Sequence, residues 1–304
     1  MNSPVRRSNY IASIHAAYPE VRIERMRLND AGQYNDILIV NDDLIFRFPR
    51  HAEGIEKLEK EIALLDRIRS ALPLPIPEPT YRRFVPRAVG HVFAGYRMLP
   101  GEPLWRETVA AITDPAIVRR LATQLATFLG ALHGIPANHV AALLPVADWR
   151  QLWAGLEEEI RAALFPHLPP SAHEQIAARF AAFLNDPGNF TFVPTVIHGD
   201  FGAGNLLWDA HAGAMTAVID FGSAGLGDPA LDIAALLTYG EPFVRLGFAA
   251  YPAMETMLPR ARFYLSTFLL QEALYGVQHD DPDAVERGLT PYLTDKGRED
   301  RPQV

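Results

Sequence analysis

At 304 residues the chain is about twice a typical single domain, long enough to bury a sizeable core without a staple. It has no cysteine, which excludes a disulfide framework, a thiolate nucleophile and a cysteine zinc site and fits a reducing, cytoplasmic setting. A net charge of -8 argues against nucleic acid as a partner, the polar start carries no signal-peptide pattern, and no stretch reaches the roughly 20 apolar residues of a membrane span.

The first elements read as sheet plus one helix. Residues 37–40 and 44–48 are short β-prone runs separated by Asn41-Asp42-Asp43, a hairpin signal. Over 52–72 a helical period places Ile55, Leu58, Ile62, Leu65 and Ile68 on one stripe, and Glu61 falls inside it. A carboxylate facing inward needs a cationic partner, because burying it alone costs several kcal/mol or more. The proline-rich segment 72–79 is an extended connector, 92–99 is a further strand, and Pro100-Gly101-Glu102-Pro103 breaks it. A lobe boundary is expected there, giving 1–100 and 101–304.

The second part reads as mostly helical, with helices expected over 116–132, 152–164, 172–184 and 259–275. One β island interrupts them at 195–197, 206–208 and 216–219, and a polar tail follows about residue 294. Charge divides unevenly between the two parts. Residues 1–100 hold 15 Lys+Arg against 12 Asp+Glu, a balance of +3, and residues 101–304 hold 13 against 24, a balance of -11. Such a run is either a solvated acidic surface or a division between a half that holds a polyanion and a half that collects a cationic ligand.

The β island holds the densest chemistry. His198-Gly199-Asp200 leads through a Gly-rich loop to Asn205, and an apolar strand ending in Asp220-Phe221-Gly222 puts a second carboxylate 15 residues after the Asn. If 206–208 and 216–219 pair as a hairpin, Asn205 and Asp220 emerge at one open end, with Asp200 on the loop at the same mouth. Two carboxylates and an amide oxygen suit one Mg²⁺ ion and one hydroxyl whose proton must be accepted. Downstream, Gly227-Asp228-Pro229 supplies an Asp cap and a proline at the first position of an apolar helix that carries Asp232.

This set resembles the catalytic and metal loops of the eukaryotic-like kinase superfamily, in the form used by the aminoglycoside phosphotransferase family. The resemblance implies an α+β, two-lobed protein-kinase-like fold with a small β-rich N-lobe for nucleotide and a larger, mostly helical C-lobe for catalysis and substrate. It makes Asp200 the catalytic base and gives Asn205 and Asp220 to Mg²⁺. His198, Asp228 and Asp232 become supports of the loop. Arg47, on a strand, and Glu61 match the cation and helix carboxylate that fix nucleotide phosphates, with Arg where the family often has Lys. The turn 29–36 has one glycine, not the protein-kinase G-x-G-x-x-G, which points to the small-molecule branch. Within the family the resemblance is greatest to the aminoglycoside 2″-phosphotransferases, over about residues 30–280. Tyr96 then stands before the interlobe hinge, where a bulky ring favours GTP over ATP, and Arg97, Met98 and Leu99 would offer backbone groups to the purine. A Tyr at the end of a strand also reads as an ordinary core aromatic.

The expected activity is transfer of the γ-phosphate of GTP or ATP to a hydroxyl of a cationic small molecule such as an aminoglycoside antibiotic. Macrolides, choline or homoserine are alternative acceptors. A nucleotide-binding module without catalysis is the rival from another class, and Asp200, Asn205 and Asp220 are all present against it. Glu241 and Glu272 are the candidates for ammonium contacts in the acidic half.

Overall fold

Residues 3–29, 34–144 and 146–293 are described by the computed structural model. The central residues of the expected phosphate-covering turn, 30–33, and the expected polar tail lie outside them. The first helix, α1 (Ser3–Ala17), has no counterpart in the sequence reading. Two of its buried residues, Tyr10 and Ile14, join Val40, Phe46, Phe48 and Phe93 in a small core. Tyr10 stacks on Phe48 with ring centroids 4.0 Å apart.

Five strands follow as an antiparallel sheet: β1 (Met26–Asn29), β2 (Asn35–Val40), β3 (Leu44–Pro49), β4 (Tyr81–Arg83) and β5 (Phe93–Arg97), in the order β1-β2-β3-β5-β4. Period-two burial along β2 hides Asp36, Leu38 and Val40 in alternation. Between β2 and β3, Asn41 and Asp42 take φ of 54° and 56°, the left-handed region that short polar side chains tolerate best after glycine. Helix α2 (Ala52–Ile68) lies between β3 and β4 in sequence and belongs to two cores. Leu58 and Ile62 pack with Ala94 of β5, while Leu64, Leu65 and Ile68 join the large core of the helical part.

The helical part begins with β6 (Glu102–Pro103) and α3 (Arg106–Ala111), then α4 (Pro115–His133), α5 (Trp149–Leu164) and α6 (Pro170–Asn185). Asp114 and Asp148 cap α4 and α5 by accepting the amides of Ala116 at 2.8 Å and Gln151 at 3.0 Å. Then come β7 (Thr195–Ile197), β8 (Leu206–Asp209), β9 (Ala214–Val218), β10 (Gly225–Gly227), α7 (Ala230–Leu236), α8 (Glu241–Arg245), α9 (Met254–Gln278) and α10 (Pro282–Leu293). Among the described residues no helix is long and apolar enough to cross a membrane.

Two expectations need correction here. The β island is not one sheet. β8 and β9 form the expected hairpin and add β6 at the other edge, but β7 pairs with β10, a Gly-Leu-Gly segment with no strand pattern of its own. The second of those glycines is required by packing, since a Cβ on Gly227 would meet the Trp149 ring at 2.0 Å. The last long helix, read as starting at Pro259, starts at Met254 and carries that proline inside.

Candidate active site

The β8–β9 hairpin aligns Leu206 with Val218, and the next pair outward is closed by the Ile219 amide donating to the Asn205 carbonyl at 2.9 Å. One hairpin end therefore presents Asn205 and Asp220 side by side in the chain's geometry. The loop from β7 is pressed onto the same end at Gly199, whose φ is +79°. A Cβ there would lie 2.2 Å from the Ser223 carbonyl oxygen, so glycine alone fits.

His198 joins the two segments. The Asp200 amide donates to its Nδ1 at 3.2 Å, which leaves the proton on Nε2 to donate to the Ile219 carbonyl at 3.0 Å. A single buried ring thus fixes the backbone of Asp200 relative to the residue before Asp220. Beneath it, Asp232 accepts the His198 amide at 2.8 Å, the Gly199 amide at 2.9 Å and His133 Nε2 at 3.0 Å. Burial alone would raise the Asp232 pKa, but the bonds from His133 and the His198 amide outweigh it and hold the group below the usual carboxylate range. Tyr251 completes the chain, 3.1 Å from His133 Nδ1, with its hydroxyl pushed up to about 12 by burial and by Asp232.

Asp228 anchors the start of α7. It accepts the Ala230 amide at 3.0 Å, as an N-terminal cap does, a bidentate pair from Arg260 at 2.6 and 3.0 Å, and the Tyr264 hydroxyl at 2.8 Å. The sequence reading missed His133, Tyr251, Arg260 and Tyr264. His133 left a signal: it lies four residues after Leu129 on the apolar face of α4, a polar residue on a buried stripe just as Glu61 is.

At the mouth the side chains are freer. Asp200 and Asp220 are exposed. Asn205 donates its amide to the Asp200 carbonyl at 2.9 Å and to Asp200 Oδ2 at 3.0 Å, which orients the carboxylate and leaves Asn205 Oδ1 and Asp200 Oδ1 without a partner among the described residues. Asp220 sits at φ 62°, a left-handed conformation unusual for a residue with a Cβ, and its Oδ1 lies 3.4 Å from the Gly222 amide and 3.7 Å from Arg47 Nη2. Arg47 crosses from β3 to meet Glu61 of α2 at 2.6 Å, with both side chains nearly buried. Burial would lower the Arg47 pKa, but the charge of Glu61, with Tyr96 and Asp220 beside it, keeps it raised and the guanidinium charged. The Tyr96 hydroxyl, in contact with Arg47, is pushed up to about 12, mainly by burial.

Among the described residues no three His, Cys, Asp or Glu side chains converge as a metal cage. The donor set at the mouth still fits Mg²⁺. That ion is commonly held by one or two carboxylates together with substrate phosphates and water, and Asp220 with Asn205 Oδ1 supplies hard oxygens of that kind.

One expected site residue is placed differently. The Met98 amide donates to the Asp43 carbonyl at 2.7 Å, because β5 continues its ladder with the chain before β3, so this amide is not offered to a purine. By ladder alternation the Arg97 backbone groups face away from β3. Leu99 lies beyond the last strand residue and is half-buried. The other correction concerns charge. Glu241 is held by Arg262 at 2.7 Å and by Arg245, and Glu272 by Arg287 at 2.7 Å. Neither is a free acceptor for an ammonium group, since each already faces a guanidinium brought by its own or a neighbouring helix.

Residues 25–264 match the model of the phosphotransferase enzyme family. The chain is 32% identical over 202 residues to viomycin phosphotransferase from Streptomyces vinaceus, covering 64% of this chain and 67% of that one. Its fold is similar to the GDP and kanamycin complex of APH(2″)-IIIa, with a TM-score of 0.86 and 28% identity over 95% of this chain and 98% of that one. A macrolide 2′-phosphotransferase type I shares the fold at a TM-score of 0.75 and 20% identity, over 97% of this chain and 98% of that one.

Proposed function

The chain belongs to the phosphotransferase enzyme family, and from that premise we propose that it transfers the γ-phosphate of GTP or ATP to a hydroxyl of a cationic antibiotic of the aminoglycoside kind. The observation that carries this reading is the His198 ring, which locks Asp200 to the segment that presents Asp220. Base and metal-facing oxygens are then held at one mouth before any ligand arrives, and such positioning is a large part of phosphoryl-transfer catalysis.

In this reading the acceptor hydroxyl binds at Asp200 Oδ1, the carboxylate oxygen that Asn205 leaves free. Asp200 orients the hydroxyl and takes its proton as the oxygen attacks phosphorus. Arg47, kept charged and aimed by Glu61, holds the nucleotide phosphates. Asp220 and Asn205 Oδ1 are the residues that would hold Mg²⁺, which when bound neutralises charge on the phosphate oxygens. His198, Asp228 and Asp232 act through backbone and packing and touch no reactant. GDP in the complex of APH(2″)-IIIa supports a guanine nucleotide, and Tyr96 beside Arg47 is the ring that would narrow the purine slot.

A macrolide acceptor is the second reading, favoured by the neutralised Glu241 and Glu272. The experiment that tests both incubates the purified protein with GTP and, in parallel, ATP against kanamycin, gentamicin, viomycin and a macrolide, with phosphorylated product read by mass spectrometry. Product from the first two supports the main reading. Product from the macrolide alone replaces it with the second, and no product from any acceptor rejects both.

A further inference from the structure

Burying a tryptophan removes a large apolar surface from water, so a chain that leaves one exposed forgoes that stabilisation. Of the four tryptophans, Trp153 and Trp208 are buried and Trp149 packs on the main core, whereas Trp105 is 51% exposed. Its backbone is nonetheless fixed. The Trp105 amide donates to the Pro103 carbonyl at 3.1 Å, and its own carbonyl accepts the Val109 amide at 3.1 Å. The preceding Leu104 is fully buried, donates its amide to the Leu206 carbonyl at 2.8 Å and accepts the Tyr239 hydroxyl. The strand that follows Asn205 therefore also sets the position of Trp105.

The indole reaches the loop between Asp200 and Asn205. A Cβ on Gly204 would stand 3.7 Å from its Cη2 atom, ordinary contact distance. A half-exposed ring on a fixed backbone thus lies against the loop that carries the candidate base. We propose that Trp105 is a stacking platform for a saturated, hydroxylated ring of a bound substrate. An indole face packs well on the C–H face of such a ring and attracts an ammonium group carried on it. In the phosphotransfer reading, on which this inference rests, two rings come within reach of that loop: one of the acceptor and the ribose of the nucleotide.

Calorimetric titration with kanamycin and, separately, with GDP and Mg²⁺ distinguishes the sources in wild type, Trp105→Ala and Trp105→Phe. Trp105→Ala is expected to weaken one ligand about tenfold while the other stays within about twofold, and Trp105→Phe to restore most of the loss. Loss in the kanamycin arm assigns the platform to the acceptor, and loss in the GDP arm assigns it to the ribose. The same ligand should change tryptophan fluorescence in wild type and much less in Trp105→Phe. Binding of both ligands by Trp105→Ala within about twofold of wild type overturns the platform alone. Losses that Trp105→Phe fails to restore mark a structural role and overturn it as well. A wild-type protein that binds neither probe overturns the proposed function and the platform together.

Discussion

Four of the five aspartates between residues 200 and 232 divide into two pairs. Asp200 and Asp220 stand exposed at the mouth, where Asn205 and the Gly222 amide engage them lightly and Arg47 approaches Asp220 at 3.7 Å. Asp228 and Asp232 lie fully buried beneath, and each carboxylate oxygen accepts at least one bond from backbone, His133, Arg260 or Tyr264. The same side chain is left open in one place and tied into the fold in the other. What separates them is whether the fold has already saturated the lone pairs, because a satisfied buried carboxylate has nothing left to offer a ligand.

Substitutions at the mouth should strike chemistry and leave the fold alone. Asp220→Ala is expected to abolish Mg²⁺-dependent turnover with an unchanged melting temperature, and turnover that persists in EDTA would break the assignment. Asp200→Asn is expected to lose about 10²–10⁴-fold or more in turnover, the range of general-base help, again with the fold intact. Single-turnover transfer within about tenfold of wild type removes Asp200 from the proton step.

The floor should respond the other way. Asp232→Ala leaves His133 and two amides without their acceptor, and is expected to cost about 3–5 kcal/mol in urea unfolding, as breaking a buried charged network does. A loss under about 1 kcal/mol would place Asp232 among ordinary surface carboxylates. The sign of the pH dependence follows from the lowered Asp232 pKa. Its contribution is complete above the ordinary carboxylate value of about 4 and is lost as pH falls through the depressed folded-state value. Acid unfolding followed by circular dichroism should therefore depend less on pH in Asp232→Asn than in wild type.

Smaller effects sharpen the contrast at its edges. Tyr96→Ala should shift nucleotide preference from GTP towards ATP, because it removes the ring beside Arg47. A ratio of kcat/KM values unchanged by the substitution would make Tyr96 a core aromatic only. Glu241→Gln should change kanamycin affinity by less than about twofold at low and at high salt, since a carboxylate already paired with two arginines has little left to offer a ligand. A steeper, salt-dependent loss would return Glu241 to the acceptor site in spite of Arg245 and Arg262.

Local pattern made much of this legible. Glu61 on an apolar stripe announced a buried cation partner, and Arg47 meets it. The apolar runs on either side of the turn announced the β8–β9 hairpin, which aligns the backbone at Asn205 and Ile219. The order of His198, Asp200, Asn205 and Asp220 carried the proposed chemistry, because residue type and spacing survive in one dimension. Long-range packing did not survive there. The pairing of β7 with a Gly-Leu-Gly strand, the docking of α1 through Tyr10 and the bond from His133 to Asp232, 99 residues on, join segments whose own patterns say nothing of each other. Nor could counting acidic residues reveal that Glu241 and Glu272 face arginines. Composition sums charge over a chain, but only the folded arrangement decides which charges have already found their partners.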